Sequence, residues 1–560
     1  MLVCRNAECI RRHMGNRKIA DKMTANKITK KFIHVMSVKI LNLILWVYLV
    51  LIVFVMPFYM QNGYVNIGEA KFVFFKYVTL GMIALVLPFL VVLLCTGNLL
   101  EKWYHISIEQ IHMLDVCMIL YGMALTISYL AAEDQETALW GEQGWYMGYL
   151  TKFSLIVVYF LISRLWSYKK AVWYLGMVAS GVVFLLGILN RFSIYPIDFD
   201  LRSPDFISTL GNINWFSGYL SVFCPIGMCL YLFAKNTLAR VFACAYVMLA
   251  FAAGVTQGSS SIFLAFFGCF YFLLLLVYRE KKDGMRLLEL GILFALVCEI
   301  IRVWRFLCPN AYNYDTGNLC GIATSSNLPA IAGMLLILIY YVGLYRGKKS
   351  MEGHAGTGCY LIVRDQVMKV LLILPWVLAG IYFILALVIN GLHIQIPWLS
   401  EWKWFQFDGS FGNSRGTTWL AGLMAFKELP LLHKIVGCGP DCFESFVYTR
   451  WELIVMLEKE FGNASLTNAH NELLTTLVNL GVLGCVTYLG VLLWPVIRCF
   501  RSKKGNLLLY FPVICIVSYS MHNMVSFAQI LNYPYLFIFL GISEGLIRRS
   551  KGKCTAAPNS

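Results

Sequence analysis

Residues 38–59 read VKILNLILWVYLVLIVFVMPFY, with Lys39 the only charged side chain among them. A run of that length covers the ~20 residues that a helix needs to cross the hydrocarbon core of a bilayer. The backbone finds no water there, so such a run must close its own hydrogen bonds as an α-helix. The next run, KYVTLGMIALVLPFLVVLLCT at 76–96, repeats the pattern. Working outward, further apolar runs lie at 112–131, 151–167, 171–190, 213–234, 239–257, 260–278, 285–303, 328–346, 367–390, 471–496, 506–525 and 530–547. The chain reads as an all-α polytopic membrane protein with about 14 transmembrane helices, within a range of ~12–14. The tightest hairpin is the one turned by Gln257-Gly258-Ser259-Ser260-Ser261.

Composition agrees. Hydrophobic residues make up 59% of the 560 and charged residues 14%, with a mean hydropathy of +0.68. A soluble chain carries about 25% charged residues. Trp and Tyr often sit at the ends of runs, as interfacial anchors do. The net charge of +16 would suit a nucleic-acid partner, but its distribution argues otherwise. After a basic N-terminal segment, alternate loops carry Lys169-Lys170, Arg279-Glu280-Lys281-Lys282, Arg346-Gly347-Lys348-Lys349, Arg501-Ser502-Lys503-Lys504 and Arg548-Arg549-Ser550-Lys551. The intervening loops are poorer in basic residues, and Glu133-Asp134-Gln135-Glu136 is acidic. This alternation is the positive-inside rule. It requires an even number of spans, puts both termini in the cytoplasm and speaks against nucleic acid; the cell (plasma) membrane is the expected location.

The expected organisation is a basic cytoplasmic segment at 1–37, a transmembrane bundle at 38–390, an extracytoplasmic loop at 391–470, C-terminal transmembrane helices at 471–548 and a cytoplasmic tail at 549–560. The first apolar run is too long for a signal-peptide core, and Met14 or Met23 could be a later start. Cys4, Cys9 and His13 lack zinc-site spacing and a fourth ligand. Most of the 18 cysteines lie in apolar runs, where Cys acts as a small hydrophobe. Cys308, Cys320, Cys438 and Cys442 fall in outer loops and are read as free thiols, with disulfides open to them in an oxidising compartment.

The loop at 391–470 is rich in Trp, Phe and Leu, which argues for an ordered segment, and a loop of this length is usually functional. After Arg415-Gly416-Thr417-Thr418, the spacing of Trp419, Leu420, Leu423, Met424, Phe426 and Lys427 predicts an interfacial amphipathic helix stopped by Pro430. Arg415 and Trp419, four apart, share one face of it. Gly437-Cys438-Gly439-Pro440 then signals a turn. The chain re-enters the membrane after Asn468-Ala469-His470-Asn471-Glu472, and Gly481-Val482-Leu483-Gly484 is spaced for close approach by another helix.

Arg415 with Trp419, Pro430, Gly437-x-Gly439-Pro440, His470-Asn471 and Gly481-x-x-Gly484, in that order, resembles the O-antigen ligase and O-antigen polymerase family. The resemblance covers 411–485, with weaker matches at Ala138-Leu139-Trp140-Gly141 with Gly148 and at Gly211-Asn212-x-Asn214. It implies a GT-C-like membrane glycosyltransferase that uses an undecaprenyl-diphosphate-linked oligosaccharide donor and a hydroxyl on a glycan, lipid or protein acceptor. In two respects the chain departs from the family, the first being a span count slightly above the family's usual dozen or so. A Ser-Arg pair expected at the outer end of a middle span is replaced by the Gln257–Ser261 stretch, leaving Arg191, Arg202, Arg302 and Arg305 as candidates for a second arginine.

The residue types suit the implied reaction. A neutral His470 takes the proton of the attacking hydroxyl or orients the acceptor. Arg415 offers a permanently charged fork to the leaving diphosphate. Asn471, Trp419, Asn212 and Asn214 are the expected substrate-binding residues, with attack inverting the anomeric centre. No metal, nucleotide or other cofactor is required. Competing bases are His433, His393 and His522. Asp198-Phe199-Asp200 and the Glu133, Asp134, Glu136 group are the alternative, metal-dependent chemistry. The rival class is a multi-pass transporter or flippase of lipid-linked glycans. Polar signals clustered at outer span ends and the lack of an internal repeat speak against it. Within the enzyme reading, polymerase is favoured over ligase, because a ligase implies an acceptor that the sequence does not reveal.

Overall fold

The computed structural model describes residues 28–95, 111–197, 199, 203–280, 284–312, 319–351, 357–402 and 404–555. The architecture is all-helical apart from one short antiparallel pair, Phe206–Ile207 against Gly211–Asn212. The long helices are α1 (Ile28–Phe58), α2 (Ile67–Cys95), α3 (Met113–Ala131), α4 (Tyr149–Leu165), α5 (Ala171–Arg191), α6 (Ile213–Phe233), α7 (Thr237–Thr256), α8 (Ser261–Glu280), α9 (Met285–Leu307), α10 (Leu328–Met351) and α11 (Thr357–Gly391). They are followed by α12 (Phe411–Glu428), α13 (Trp451–Phe461), α14 (Glu472–Arg501), α15 (Leu507–His522) and α16 (Tyr533–Thr555).

Each apolar run read from the sequence lies on one of these helices. Among the described residues, nine helices are long and apolar enough to cross a membrane, or ten if the bent pair Leu319–Ser325 and Leu328–Gly343 is one span. The chain is thus a multi-pass, membrane-type helical protein. The runs outside that count have visible reasons. Helices α4 and α15 have only 17 and 16 residues. Helix α9 carries Arg286, Glu289, Glu299, Arg302 and Arg305, and α16 contains Glu544 and a basic end. The tight hairpin at 257–260 does join two separate helices, α7 and α8.

Helix α6 is the axis of the bundle, with 94% of its apolar window buried, whereas only 6% of that of α11 is. Helix α15 packs on α6 and α8, α14 on α3, and α16 on α4. The loop between α11 and α14 has a core of its own. Ala421 and Ala425 of α12, Phe443, Val447, Leu453, Leu457, Leu466 and Ala469 pack together over Ala132 and Ala138. Helix α12 forms where the spacing places it and ends at Leu429, before Pro430. Its protein-facing side is small, built of Thr417, Thr418, Ala421, Gly422 and Ala425, and Leu420 and Leu423 point away.

Candidate functional site

The site is assembled where this loop meets the bundle. Helix α14 is broken at Gly481, whose φ of 66° and ψ of −172° suit glycine alone. The break exposes carbonyls of α14 to the turn at 437–439. Cys438 N–H donates to Val478 O at 3.1 Å, and Gly439 N–H to Asn479 O at 3.0 Å. A Cβ on Gly481 would lie 2.3 Å from Ile435 O, and one on Gly437 2.1 Å from Asn479 O. The close approach anticipated at Gly481 is made by the last turn of the short helix Leu431–Val436 and by the turn that follows it. Beyond the turn, Asp441 Oδ2 accepts Glu142 N–H and Met147 N–H, both at 2.9 Å, which ties the loop to the segment leading into α4. Burial pushes the Asp441 carboxyl up, against the pull of Lys152 and of these amides.

Arg415 and His470 converge on one segment, the link between α15 and α16. Residues Gly412, Asn413 and Ser414 have left-handed φ, so the regular part of α12 begins at Arg415. Arg415 Nε donates to Val525 O at 2.8 Å and Nη1 to Gly412 O at 2.6 Å. No carboxylate pairs with it among the described residues. Its guanidinium stands at a helix N-terminus, whose partial positive charge also favours an anion. His470 adopts φ 47°, with its N–H held by Asn468 Oδ1 at 3.0 Å, and its ring lies edge-on to Phe527 at 5.1 Å. Burial, and then the charge of Arg415, push the imidazole down from 6.5 to about 4. His470 is thus neutral at physiological pH.

A hydrogen-bond chain runs from this point across the bundle. Glu472, 5% exposed, accepts Tyr488 Oη–H at 2.5 Å, Tyr519 Oη–H at 2.9 Å and Asn523 Nδ2–H at 2.7 Å. Asn523 Oδ1 lies 2.6 Å from His522 Nδ1, and His522 Nε2 lies 3.0 Å from both Ser217 Oγ and Ser261 Oγ. Ser261 meets Ser259, whose hydroxyl donates to Asn214 Oδ1 at 3.2 Å. Asn214 is thereby linked to the residue two places after His470.

The other expected residues are placed as follows. Asn471 caps α14 by accepting Leu474 N–H at 3.0 Å, and Asn212 caps α6 by accepting Asn214 N–H at 2.8 Å. Trp419 lies beside Phe411, its indole N–H buried without a partner. His433 sits 2.8 Å from Gly437 O and closes its own short helix. Arg191 donates to Pro204 O and Gln257 O, Arg302 pairs with Glu299 at 2.9 Å, and Arg305 donates to Thr324. None of these three lies with Arg415. Cys308, Cys320, Cys438 and Cys442 form no disulfide among the described residues, and burial pushes Cys438 up to about 12. Asp198, Asp200, Arg202 and residues 1–27 lie outside the described residues.

Between the loop and the bundle is a narrow cavity of about 30 Å³, lined by Trp145, Lys152, Asp441, Asn468, Glu472 and Phe527 among others. That volume holds about one water molecule. Lys152, Asp441 and Glu472 were missed as site residues by sequence reasoning. For Lys152 and Glu472 the available signal was their type, because an ionisable group at the start of an apolar run is costly and marks a site more often than a fold, whereas Asp441 lies in the loop and carried no such signal. The described residues hold one cluster with metal-ligand types, His112, Asp115 and Glu544, at the opposite end of the helices. Arg164, Arg498 and Arg548 already pair with its carboxylates.

No protein-family model matches the chain, and no curated protein matches it.

Proposed function

We propose that this chain is an inverting membrane glycosyltransferase of the O-antigen polymerase and ligase type. It moves a glycan from an undecaprenyl-diphosphate carrier to an acceptor hydroxyl at the outer face of the cell membrane. The carrying observation is that Arg415 and His470, far apart in sequence, meet over the single segment Val525–Phe527. In the reaction the acceptor oxygen bonds to the anomeric carbon while the bond from that carbon to the phosphate oxygen breaks. The electron pair leaves with the diphosphate, which Arg415 and the start of α12 hold, and the proton passes to His470. Before the donor binds, burial and the guanidinium keep His470 a weak base. The arriving diphosphate offsets that positive charge and raises the basicity of the ring as the donor binds.

A bundle with about 14 spans, both termini in the cytoplasm and a GT-C-like arrangement belongs to this reading. Buried charges support chemistry at a face over passage through the bundle. Among the described residues, Lys71, Lys152, Arg191 and Glu472 lie at the loop end of their helices, and Asp115 and Glu544 join their arginines at the other end. Polymerase is preferred to ligase, since nothing in the site distinguishes a dedicated acceptor.

The test is the length distribution of surface polysaccharide in cells carrying His470→Ala, with membrane abundance checked. Loss of long chains with accumulation of single lipid-linked units is expected. Long chains trapped on the carrier would make the protein a ligase. Unchanged polymer and unchanged attachment would refute the proposal.

A further inference from the structure

Lys152 is 7% exposed and lines the cavity, yet its ammonium makes no hydrogen bond and no close ion pair among the described residues. A buried ammonium without acceptors is costly. The carboxylates whose charge it feels, Asp441 and Glu472, are occupied elsewhere, the first by two backbone amides and the second by Tyr488, Tyr519 and Asn523. Three N–H bonds of Lys152 are therefore available to whatever enters. The walls around it add hydroxyls and amides from Thr467, Asn468, Thr475, Thr476 and Asn479, and two aromatic faces, Trp145 and Phe527, in edge contact at 4.7 Å. Hydrogen-bonding groups of both signs beside aromatic faces suit a polyol ring with polar edges and apolar C–H faces.

The position narrows the ligand further. Asn468 and Glu472 flank His470 in sequence, and Phe527 touches its ring, so the cavity lies beside the proposed base. Arg415 is not part of its lining. A diphosphate held by Arg415 is thus outside the cavity. Two carboxylates against one ammonium also leave no surplus positive charge for an anionic sugar.

Resting on the glycosyl-transfer reading, we infer that this cavity is the acceptor subsite and that it takes an uncharged sugar ring. Lys152 and the second carboxylate oxygen of Asp441, Oδ1, hold the ring hydroxyls, and Trp145 and Phe527 cover its face. At about 30 Å³ the cavity is closed to a ring, so Phe527 and Trp145 move aside on binding.

The experiment uses the full-length protein in lipid nanodiscs, with saturation-transfer NMR to methyl β-glucopyranoside, methyl β-galactopyranoside and methyl β-glucuronide. At least one uncharged glycoside is expected to bind and the glucuronide not to. Lys152→Met and Asp441→Asn should weaken binding by roughly tenfold or more, as loss of a hydrogen bond to a charged group does. Thr476→Val is the second variant, should a charge change disturb folding as judged by size-exclusion profile. Binding of no uncharged glycoside, preference for the glucuronide, or unaltered binding in all three variants would overturn the inference. The His470→Ala polymer assay separates the two levels. Lost polymer without glycoside binding defeats the subsite alone, whereas retained polymer defeats the transfer reading.

Discussion

Substituting Gly481 by Ala should undock the loop from the bundle. The backbone at this position, φ 66° and ψ −172°, costs an L-residue about 1–3 kcal/mol. The new methyl would also lie 2.3 Å from Ile435 O and 2.6 Å from Gly437 N, both backbone atoms. The turn must retreat, which stretches the Cys438-to-Val478 and Gly439-to-Asn479 hydrogen bonds, worth about 0.5–1.5 kcal/mol each. The sum is about 2–6 kcal/mol. Gly462→Ala is the matched control, because φ there is 61° but nothing lies within 4 Å of an added Cβ. It isolates the backbone strain, about 1–3 kcal/mol. The assay is the melting temperature of the detergent-purified protein, together with the polysaccharide length distribution in cells. Gly481→Ala should melt well below Gly462→Ala and lose long chains, since the displaced turn carries Asp441. Equal melting temperatures for the two variants would refute the docking argument.

Three further outcomes follow from the site. His470, pushed down to about 4 from 6.5, binds fewer protons folded than unfolded between those values. Its contribution to stability is therefore whole above pH about 6.5 and is lost as the pH falls toward 4. His470→Gln should show a shallower fall in melting temperature from pH 7.5 to 4.5 than the wild type, and identical slopes would contradict the burial of the ring. Asn471→Ala should cost about 1 kcal/mol through the lost α14 cap, and Asn471→Ser should recover both stability and transfer. Recovery of stability without transfer would show a substrate contact that the cap does not explain. Trp419→Phe removes an indole N–H that is buried without a partner, so the melting temperature should hold or rise while the KM for the lipid-linked donor increases. An unchanged KM would remove Trp419 from the binding residues.

The helices were legible in the sequence because hydrocarbon thickness and backbone hydrogen bonding leave an apolar run few options. The count of spans was less so, because polar residues such as Glu289 and Glu299 in α9 lower its hydropathy without stopping its helix. Pro430 ended α12 as expected, but the face that α12 buries is small rather than aliphatic, a matter of what it packs on. At the site, Arg415 and His470 were found through an ordered motif, whereas their shared hold on Val525–Phe527 depends on tertiary placement. The caps at Asn212 and Asn471 are local chemistry and readable from neighbouring residues alone. Lys152 and Asp441, far apart in the chain, come to line one cavity only when the loop folds over α4. The role of Gly481 depended likewise on the turn docked against it.

The cluster of charges at the end of the helices away from the loop gives the bundle a mechanical character. Helices α3 and α14 pack as one pair and α4 and α16 as another. Three ion contacts of the cluster bridge the two pairs, Asp115 of α3 to Arg164 of α4 and to Arg548 of α16, and Glu544 of α16 to Arg498 of α14, while Arg548 also pairs with Glu544 inside α16. The cavity lies between the same pairs at their other ends, with Lys152 and Tyr533 on one side and Glu472 and Thr476 on the other. The four helices thus form tongs riveted at the heel. From Arg498 to the break at Gly481 the arm is about 26 Å long at the usual rise per residue. A rocking of about 5° at the rivet parts the far ends by about 2 Å over such an arm, with no helix unwinding. Such a rocking widens the cavity end of the two pairs while every charge at the heel keeps its partner.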